Sequence, residues 1–407
     1  MAKELTMEAV LRDDETLPGQ LRELIEAAVV DRATDIHVDP VGEQVRVCFR
    51  IDGVVQLKQR LGREEGRHLL NQIKVASKFG TDRVLKPLES RIRWRRREDG
   101  TDFHFRVTLV PTSEAEAAHL RVLNSPRSMV EVDQLGFSQA QLAKVRRAMS
   151  QPEGLVLISG PTGAGKTMTM YSLLSLLDLE NSVGISIEDP VEYNMPCLRQ
   201  IQVNDRQGLS MHSGLSAILR MDPDIIMVGE TRDSRSAVTV AHAASSGRFV
   251  LSTIHARDTA TAIDMMHYYS VPRHVLGNAL RMVVAQDLVR RLCPNCKRER
   301  KLRQGEAKLF EAVGVEAPSR VAEPVGCPKC GNYGYLGRIG VFQVTKVDEA
   351  LAAAVTEGKK TQVLRHLIEA RGDSSLTSDA YDKVARGITS LQEVGSLYGM
   401  ATGNPGQ

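Results

Sequence analysis

The sequence predicts an α/β protein whose larger part is a parallel β-sheet with crossover helices. Short apolar runs that end in acidic or polar residues alternate with helical stretches in the middle of the chain; they are GLVLIS, VGISIED, DIIMVGE and FVLSTIH. Such runs are typical of strands buried on both faces of a parallel sheet. The pattern differs on either side of this region. We therefore expect a smaller α+β domain before it and a cysteine-containing, helical region after it.

The N-terminal domain is predicted to span residues 1–123 and to combine a helix with half-buried strands. A helical pattern covers residues 21–33. The stretch EQVRVCFRIDG alternates apolar and polar residues and stops at Asp52-Gly53, a pair that favours a hairpin turn. The stretch DFHFRVTLVPT alternates in the same way. This mixture indicates a small α+β domain.

The rest of the chain is divided into four regions by its patterns. Residues 124–140 contain Pro and Gly and are predicted to form a linker. We expect the parallel-sheet core over 141–290, a subdomain with four cysteines over 291–335 and a helical region over 336–407.

Composition gives little support to a dedicated nucleic-acid binder and argues against a membrane span. The formal charge is +3, from 53 basic and 50 acidic side chains. Apolar runs stay short of the ~20 residues that a spanning helix needs, and the N-terminus lacks the apolar core of a signal peptide. We expect a cytoplasmic protein that contacts a membrane through partners.

The stretch LISGPTGAGKTMTMYS has the phosphate-binding spacing G-x-x-x-x-G-K-T. In such a loop, backbone N–H groups surround the phosphates and the next helix adds its positive end. Lys166 is expected to contact the β- and γ-phosphates, and Thr167 to bind magnesium. The loop follows a buried strand and precedes a stretch that is predicted to be an amphipathic helix, MTMYSLLSLL. A glycine-rich turn that arose by chance would not be expected in this context. The predicted nucleotide-binding residues are Gly160, Pro161, Thr162, Gly163, Ala164, Gly165, Lys166, Thr167 and Met168.

Acidic residues at the ends of neighbouring strands are predicted to complete this site. Glu230 follows an apolar strand and is expected to hold magnesium. The stretch IEDPVEY adds three carboxylates, which are Glu188, Asp189 and Glu192. Hydrolysis needs a carboxylate that orients or activates water, although such a cluster alone is usually a set of solvated loop charges. His255 ends another strand and is either structural or a sensor of the γ-phosphate.

Four of the six cysteines form two C-P-x-C pairs with 30 residues between them. The four residues are Cys293, Cys296, Cys327 and Cys330. In a cytoplasmic protein, such pairs indicate a metal site rather than disulfides. Four thiolates at this spacing are typical of a tetrahedral zinc site with a structural role.

Taken together, these motifs resemble the secretion ATPase superfamily, in the branch that powers type II secretion and type IV pilus assembly. The resemblance runs from about residue 21 to about residue 395. In family order it rests on RATDIHVDP, FRIDG, GPTGAGKT, IEDPVEY, the region 214–233, LSTIHARD and the two cysteine pairs. It implies a RecA-like P-loop NTPase core, a PAS-like N-terminal domain, and ATP, magnesium and zinc as ligands.

The resemblance also implies roles for single residues. Glu192 looks like the catalytic base, and Glu230 holds magnesium with its water shell. His255 couples the nucleotide state to conformation. Arg220 lies near the phosphates, and Glu188 and Asp189 belong to the nucleotide site.

Family members are hexameric rings, in which the N-terminal domain donates arginines to the nucleotide. Arg91 and Arg106 match those positions. The resemblance implies an inner-membrane platform protein and a cytoplasmic docking protein as partners, with indirect membrane contact and no direct contact with nucleic acid. The cysteine pairs favour assembly-type over retraction-type motors.

The sequence departs from the family at several positions. The stretch 87–91 is P-L-E-S-R where the family has P-Q-D-G-R, and 246–248 is S-G-R where the family has T-G-H. The further N-terminal domain of many assembly ATPases has no counterpart in this sequence, so we expect that docking uses another surface or that the system is a short form.

Besides an ATP-driven assembly motor, two other functions stay open. A nucleic-acid motor is suggested by RIRWRRR and by the cysteine pairs, although only 4% of residues are aromatic and stacking platforms are therefore scarce. The departures around Arg91 and His255 leave room for an ATP-binding regulatory subunit with low turnover.

Overall fold

The computed structural model describes residues 17–83, 85–123 and 129–399. The chain divides into two units, Met1–Arg127 and Ser128–Gln407. The start of the predicted linker, residues 124–128, lies outside the described residues, as do 1–16 and 400–407. Each unit has its own hydrophobic core.

In its described residues, the N-terminal unit has an antiparallel sheet of six strands and two helices, which share one core. The strand order is β3-β2-β1-β6-β5-β4. The elements are α1 (Gly19–Val30), β1 (Asp35–Val41), β2 (Gln44–Ile51), β3 (Val54–Gly62), α2 (Arg63–Ala76), β4 (Leu88–Arg95), β5 (Asp102–Pro111) and β6 (Glu116–Val122). The predicted α+β domain is thus confirmed as a fold.

The predicted hairpin turn at Asp52-Gly53 joins β2 to β3. Asp52 has φ 49° and Gly53 has φ 88°, so both residues are left-handed. Two left-handed residues define the tight turn that matches the natural twist of the two strands. Asp and Gly adopt this conformation at low cost, which is why the sequence predicts the turn correctly.

The second unit contains a seven-stranded sheet in the order β15-β12-β7-β11-β10-β8-β9. All pairs are parallel except β12 with β15. The strands are β7 (Gly154–Ser159), β8 (Gly184–Glu188), β9 (Leu198–Gln202), β10 (Ile225–Val228), β11 (Phe249–Ile254), β12 (Leu280–Leu292) and β15 (Tyr335–Lys346). The four predicted parallel strands are therefore confirmed as β7, β8, β10 and β11.

Helices cover both faces of this sheet. Most of them begin at a Ser or Asp whose side chain accepts a hydrogen bond from a backbone N–H of the first turn. This bond satisfies a donor that has no partner within the helix. These helices are α3 (Gln139–Met149), α4 (Lys166–Leu174), α5 (Met211–Ile218), α6 (Ser234–Ala244), α7 (Thr259–Tyr268), α8 (Arg273–Ala279), α10 (Glu349–Glu357), α11 (Thr361–Glu369), α12 (Leu376–Ala385) and α13 (Leu391–Tyr398).

A small excursion interrupts the sheet between β12 and β15. It consists of β13 (Arg298–Lys301), α9 (Glu306–Glu311) and β14 (Arg320–Glu323). β12 and β15 run through positions 290 and 336, where limits of the cysteine-containing subdomain are predicted. These limits stay a prediction.

The helix that follows the phosphate-binding motif differs from the expectation. Its second half, Thr169 to Leu174, is buried at every position, so the helix is not amphipathic. One side packs toward the sheet, and Val130 and Val132 lie on the other side, where the Ser172 hydroxyl donates to the Val130 carbonyl. The segment 129–134 covers the face that would otherwise meet water. In the described part of the chain, no helix combines the length and apolarity needed to cross a bilayer.

Candidate nucleotide-binding site

The loop between β7 and α4 has the conformation that its glycines make possible. Gly160, Gly163 and Gly165 have φ values of 155°, 82° and 84°. A Cβ atom on Gly160 would lie 2.4 Å from the carbonyl oxygen of Gln286. Glycine at 160 is therefore required both by backbone conformation and by the close approach of β12.

Gln286 of β12 supports this loop from the side of the sheet. Its side chain is 1% exposed, and Nε2 donates a 2.6 Å hydrogen bond to the carbonyl of Ala164. An amide that is buried in an apolar strand is costly unless it is bonded. The bond ties the centre of the loop to the strand beside β7.

Lys166 closes the loop onto itself. Its ammonium donates to the carbonyl oxygens of Gly160 at 2.8 Å and Pro161 at 3.0 Å. Burial lowers the pKa of Lys166, and the nearby Glu230 carboxylate opposes this change. A phosphate oxygen is a stronger acceptor than these carbonyls, so the ammonium is placed to exchange them for a bound nucleotide.

Glu230 contacts both His255 and Arg232, and Arg232 also lies near Asp189. Glu230 Oε2 lies 2.7 Å from Arg232, and Glu230 Oε1 lies 2.5 Å from His255 Nε2. The same guanidinium lies 3.7 Å from Asp189. The bond to Glu230 raises the pKa of Arg232. The arginine thus compensates the charge of the carboxylate that is predicted to hold magnesium.

Glu188 occupies a different environment. Its carboxylate is buried and accepts hydrogen bonds from the Tyr171 hydroxyl, from Ser186 at 2.7 Å and from Gln200 at 3.0 Å. None of these three donors belongs to the group that contacts Arg232. The side chain has the contacts of a structural carboxylate, and its contact with nucleotide stays a prediction.

Two further predicted residues lie in segments that connect strands of the same sheet. Glu192 is half-buried in the segment between β8 and β9. Arg220 is exposed just after α5. Their roles as base and phosphate contact stay predictions.

Arg91 and Arg106 lie in the N-terminal unit, in one row across its sheet. Arg91 pairs with Arg106, Arg106 with Arg121, and Arg121 with Asp35. Arg91 is exposed, and Arg106 contacts Glu89 at 3.0 Å. Burial acts to raise the pKa of Asp35, but hydrogen bonds from His119 and Arg121 hold it below its usual range.

Strand β4 carries the arginine-rich run RIRWRRR. Its alternation leaves Arg91, Arg93 and Arg95 exposed and turns Trp94 inward, where it is 8% exposed and packs at 5.4 Å from Phe103. A tryptophan in the core cannot stack on a nucleic-acid base. This placement counts against the nucleic-acid motor.

The four paired cysteines come together as predicted. All four sulfurs lie within 4.8 Å of one another, and the closest pairs are 3.8 Å apart. A zinc ion with four thiolates at ~2.3 Å requires sulfurs about 3.8 Å apart. The Asn295 side chain lowers the pKa of Cys327 to about 6, whereas burial raises the pKa of Cys296 to about 11, so the case for a metal rests on the geometry of the sulfurs. The donor set fits structural zinc.

The family model for "Type II/IV secretion system protein" matches residues 10–396. This match spans both units and all the motifs of the site. The chain belongs to this family. The resemblance on which the sequence analysis relied is therefore confirmed.

Individual relatives agree with the family assignment. The chain is 33% identical over 390 residues to the type IV pilus assembly ATPase PilB of Thermus thermophilus, covering 94% of this chain and 43% of that protein. It is 34% identical over 382 residues to the type II secretion system protein E of Aeromonas hydrophila, covering 94% and 75%. The chain thus spans less than half of the Thermus relative.

A solved structure shows the same fold. The ATPase DotB of Legionella pneumophila matches with a TM-score of 0.68 at 18% identity, covering 96% of this chain and 98% of that chain. The match confirms the predicted fold class.

Sequence reasoning missed Gln286, Arg232 and Gln200. Gln286 is a polar residue inside the apolar run of β12, which is a usable signal of a buried contact. Arg232 stands two residues after Glu230, inside the region 214–233, where an arginine can pair with the metal-binding carboxylate. For Gln200 the sequence gives no signal, because its hydrogen bonds depend on how the 189–197 segment folds over β8 and α4.

Proposed function

We propose that this protein is the ATP-hydrolysing motor of a type II secretion or type IV pilus assembly system. The observation that carries the proposal is the pairing of a phosphate-binding loop, closed by Lys166, with Glu230 at the end of a neighbouring strand. The two side chains are close enough for the Glu230 charge to act on the pKa of Lys166. Phosphoryl transfer needs a cation that binds phosphate and a carboxylate that binds a hard metal ion. Here both lie at the same edge of the sheet.

Thr167 and Glu230 are the residues that would hold magnesium. Both offer oxygen ligands, which this ion prefers. When bound, magnesium neutralises charge on the β- and γ-phosphates. The loop N–H groups and Lys166 bind the phosphates, while Glu192 orients the attacking water and accepts its proton at the carboxylate.

The N-terminal unit supplies Arg91 and Arg106 to the transition state within a homohexameric ring. A guanidinium suits the charge that develops on the γ-phosphoryl group, because it presents several donors in a rigid plane. His255, in contact with Glu230, links the nucleotide state to the position of the following segment.

Relatives of this chain are named as pilus assembly and type II secretion proteins. We infer a cytoplasmic motor that acts on an inner-membrane platform protein and is held there by a docking protein. The four thiolates hold zinc, which stabilises the junction of β12 and β15.

The test compares ATP turnover with particle size for the wild type, Lys166→Ala, Glu192→Gln and Arg91→Ala. We expect activity only in a hexamer-sized species, with losses of about 10² to 10⁴-fold for the base and about 10³-fold for the arginine. Arg97→Ala is the matched control, because Arg97 is exposed beyond the end of β4 and outside the arginine row. A wild type that forms rings and binds ATP but shows no turnover with the platform protein would be a nucleotide-gated regulatory subunit instead.

A further inference from the structure

A buried polar cluster lies beneath the segment that carries Glu192. Glu188 is 2% exposed and has Tyr171, Ser186 and Gln200 as hydrogen-bond donors. No cation is among these donors. A buried carboxylate without a cation depends on its hydrogen bonds, so the donors must stay in place.

Gln200 connects this cluster to the backbone of the 189–197 segment. Its Nε2 donates to the carbonyl of Tyr193 at 2.8 Å, and its Oε1 accepts from the Met195 N–H at 2.9 Å. One amide side chain therefore satisfies two backbone groups of the segment, on either side of Asn194. Tyr193 is the residue directly after Glu192.

The orientation of the Gln200 amide is fixed by its surroundings. Nε2 faces three acceptors: the Glu188 carboxylate at 3.0 Å, the Tyr171 oxygen at 3.0 Å and the Tyr193 carbonyl. A flipped amide would place Oε1 against these oxygens and Nε2 against the Met195 N–H. Both changes are repulsive, so a single arrangement remains.

Tyr171 completes the arrangement from helix α4. Burial and the bond to Glu188 raise the pKa of Tyr171, so its hydroxyl stays protonated and donates to Glu188. Its ring also packs edge-on against the ring of Tyr193, with centroids 5.3 Å apart. Because α4 begins at Lys166, the phosphate-binding helix and the Glu192 segment are joined through this contact.

We propose that Gln200, oriented by Glu188 and Tyr171, is a positioning residue that holds the Glu192 carboxylate where it can orient and deprotonate the water that attacks the nucleotide. The proposal rests on the proposed function of Glu192 as the catalytic base. Misplacing a reacting group by about 1 Å costs about 100-fold in rate. The proposal assigns Glu188 to this support rather than to the nucleotide.

The test measures kcat, KM for ATP and the affinity for a fluorescent ADP analogue in Gln200→Ala. We expect kcat to fall about 100-fold, with KM and ADP affinity within about two-fold of wild type. Hydrogen exchange at the Met195 amide should accelerate, since its acceptor is lost. Arg199→Ala is the matched control, because Arg199 is the exposed neighbour on the same strand. Tyr171→Phe keeps the ring and removes one donor, and it should lower kcat in the same direction if Gln200→Ala does not fold.

Measurements in the Glu192→Gln variant distinguish the positioning role of Gln200 from the proposed role of Glu192 as the catalytic base. In Glu192→Gln, measured by single-turnover hydrolysis, adding Gln200→Ala should change the rate by less than about three-fold, because residues that act as a unit are not additive. An unchanged kcat in Gln200→Ala, or the full loss in both backgrounds, overturns the positioning role. Wild-type turnover in Glu192→Gln instead shows that the base is misassigned, whatever Gln200 does.

Discussion

Two glycines of the phosphate-binding loop offer a matched pair of perturbations. Gly160 and Gly163 both have positive φ, at 155° and 82°. A Cβ atom on Gly163 would meet nothing within 4 Å, whereas one on Gly160 would lie 2.4 Å from the Gln286 carbonyl oxygen and 3.1 Å from the Cβ of Ala164. Gly163→Ala therefore tests the cost of the backbone conformation alone, whereas Gly160→Ala tests that cost together with a steric clash.

The expected costs follow from these distances. Gly163→Ala pays only for the left-handed backbone, about 1–2 kcal/mol. Gly160→Ala has two costs. The unfavourable backbone conformation costs about 1–3 kcal/mol, and the steric overlap with the backbone of β12 costs about 1–3 kcal/mol more. The free energy of unfolding should therefore fall by about 4 kcal/mol in Gly160→Ala and by about 1.5 kcal/mol in Gly163→Ala, a difference of about 2.5 kcal/mol.

Thermal unfolding of the nucleotide-free protein measures this difference. At about 3 °C per kcal/mol, the melting temperature should fall by about 5 °C in Gly163→Ala and by about 12 °C in Gly160→Ala. The reasoning is refuted if the two variants melt together, because the approach of β12 to the loop would then carry no cost. Tight ADP binding in Gly160→Ala would refute it as well.

Further predictions concern Gln286, Arg232, Asp35 and the thiol cluster. Gln286→Leu should weaken ADP binding about ten-fold, as the loss of one buried hydrogen bond implies, which a fluorescent analogue detects. Arg232→Ala should lower the magnesium concentration needed for half-maximal ATP binding, because a cation that competes for Glu230 is removed; an unchanged or higher requirement contradicts this. The depressed pKa of Asp35 contributes stability that is present above its unfolded pKa of about 3.9 and is lost as pH falls toward its folded pKa. Urea midpoints between pH 7 and pH 3 should therefore fall more in the wild type than in Asp35→Asn. Chelation of zinc should lower the melting temperature while ADP affinity stays within about two-fold, and a parallel loss of affinity argues against a purely structural metal.

The sequence predicts the parts of the fold that depend on local patterns. The strands β7 and β11 are apolar at nearly every position because they are buried on both faces, and the phosphate-binding spacing is fixed by backbone geometry over six residues. The cysteine pairs are equally local. Each of these signals is complete within a short window of sequence.

What the sequence leaves out depends on contacts between distant segments. The bond from Gln286 to Ala164 joins residues 122 positions apart, and the bond from Gln200 to Tyr171 joins residues 29 positions apart. Residues near Val132 cover the C-terminal part of α4, so the helix face that carries the polar side chains Thr169 and Ser172 is buried as well. A single sequence does not show which segment will cover another, because many apolar segments could do so equally well.

The long strand β12 contains a break in its ladder with β15. Pairing is continuous from Met282 to Arg290 and shifts register before Leu292. Gln286, under the phosphate-binding loop, lies in the continuous part, while Cys293 follows the shift. A strand that is paired regularly on both sides is rigid, and a β-bulge is a point where such a strand bends. The register shift is therefore a point where β12 can change direction between the floor of the nucleotide site and the thiol cluster.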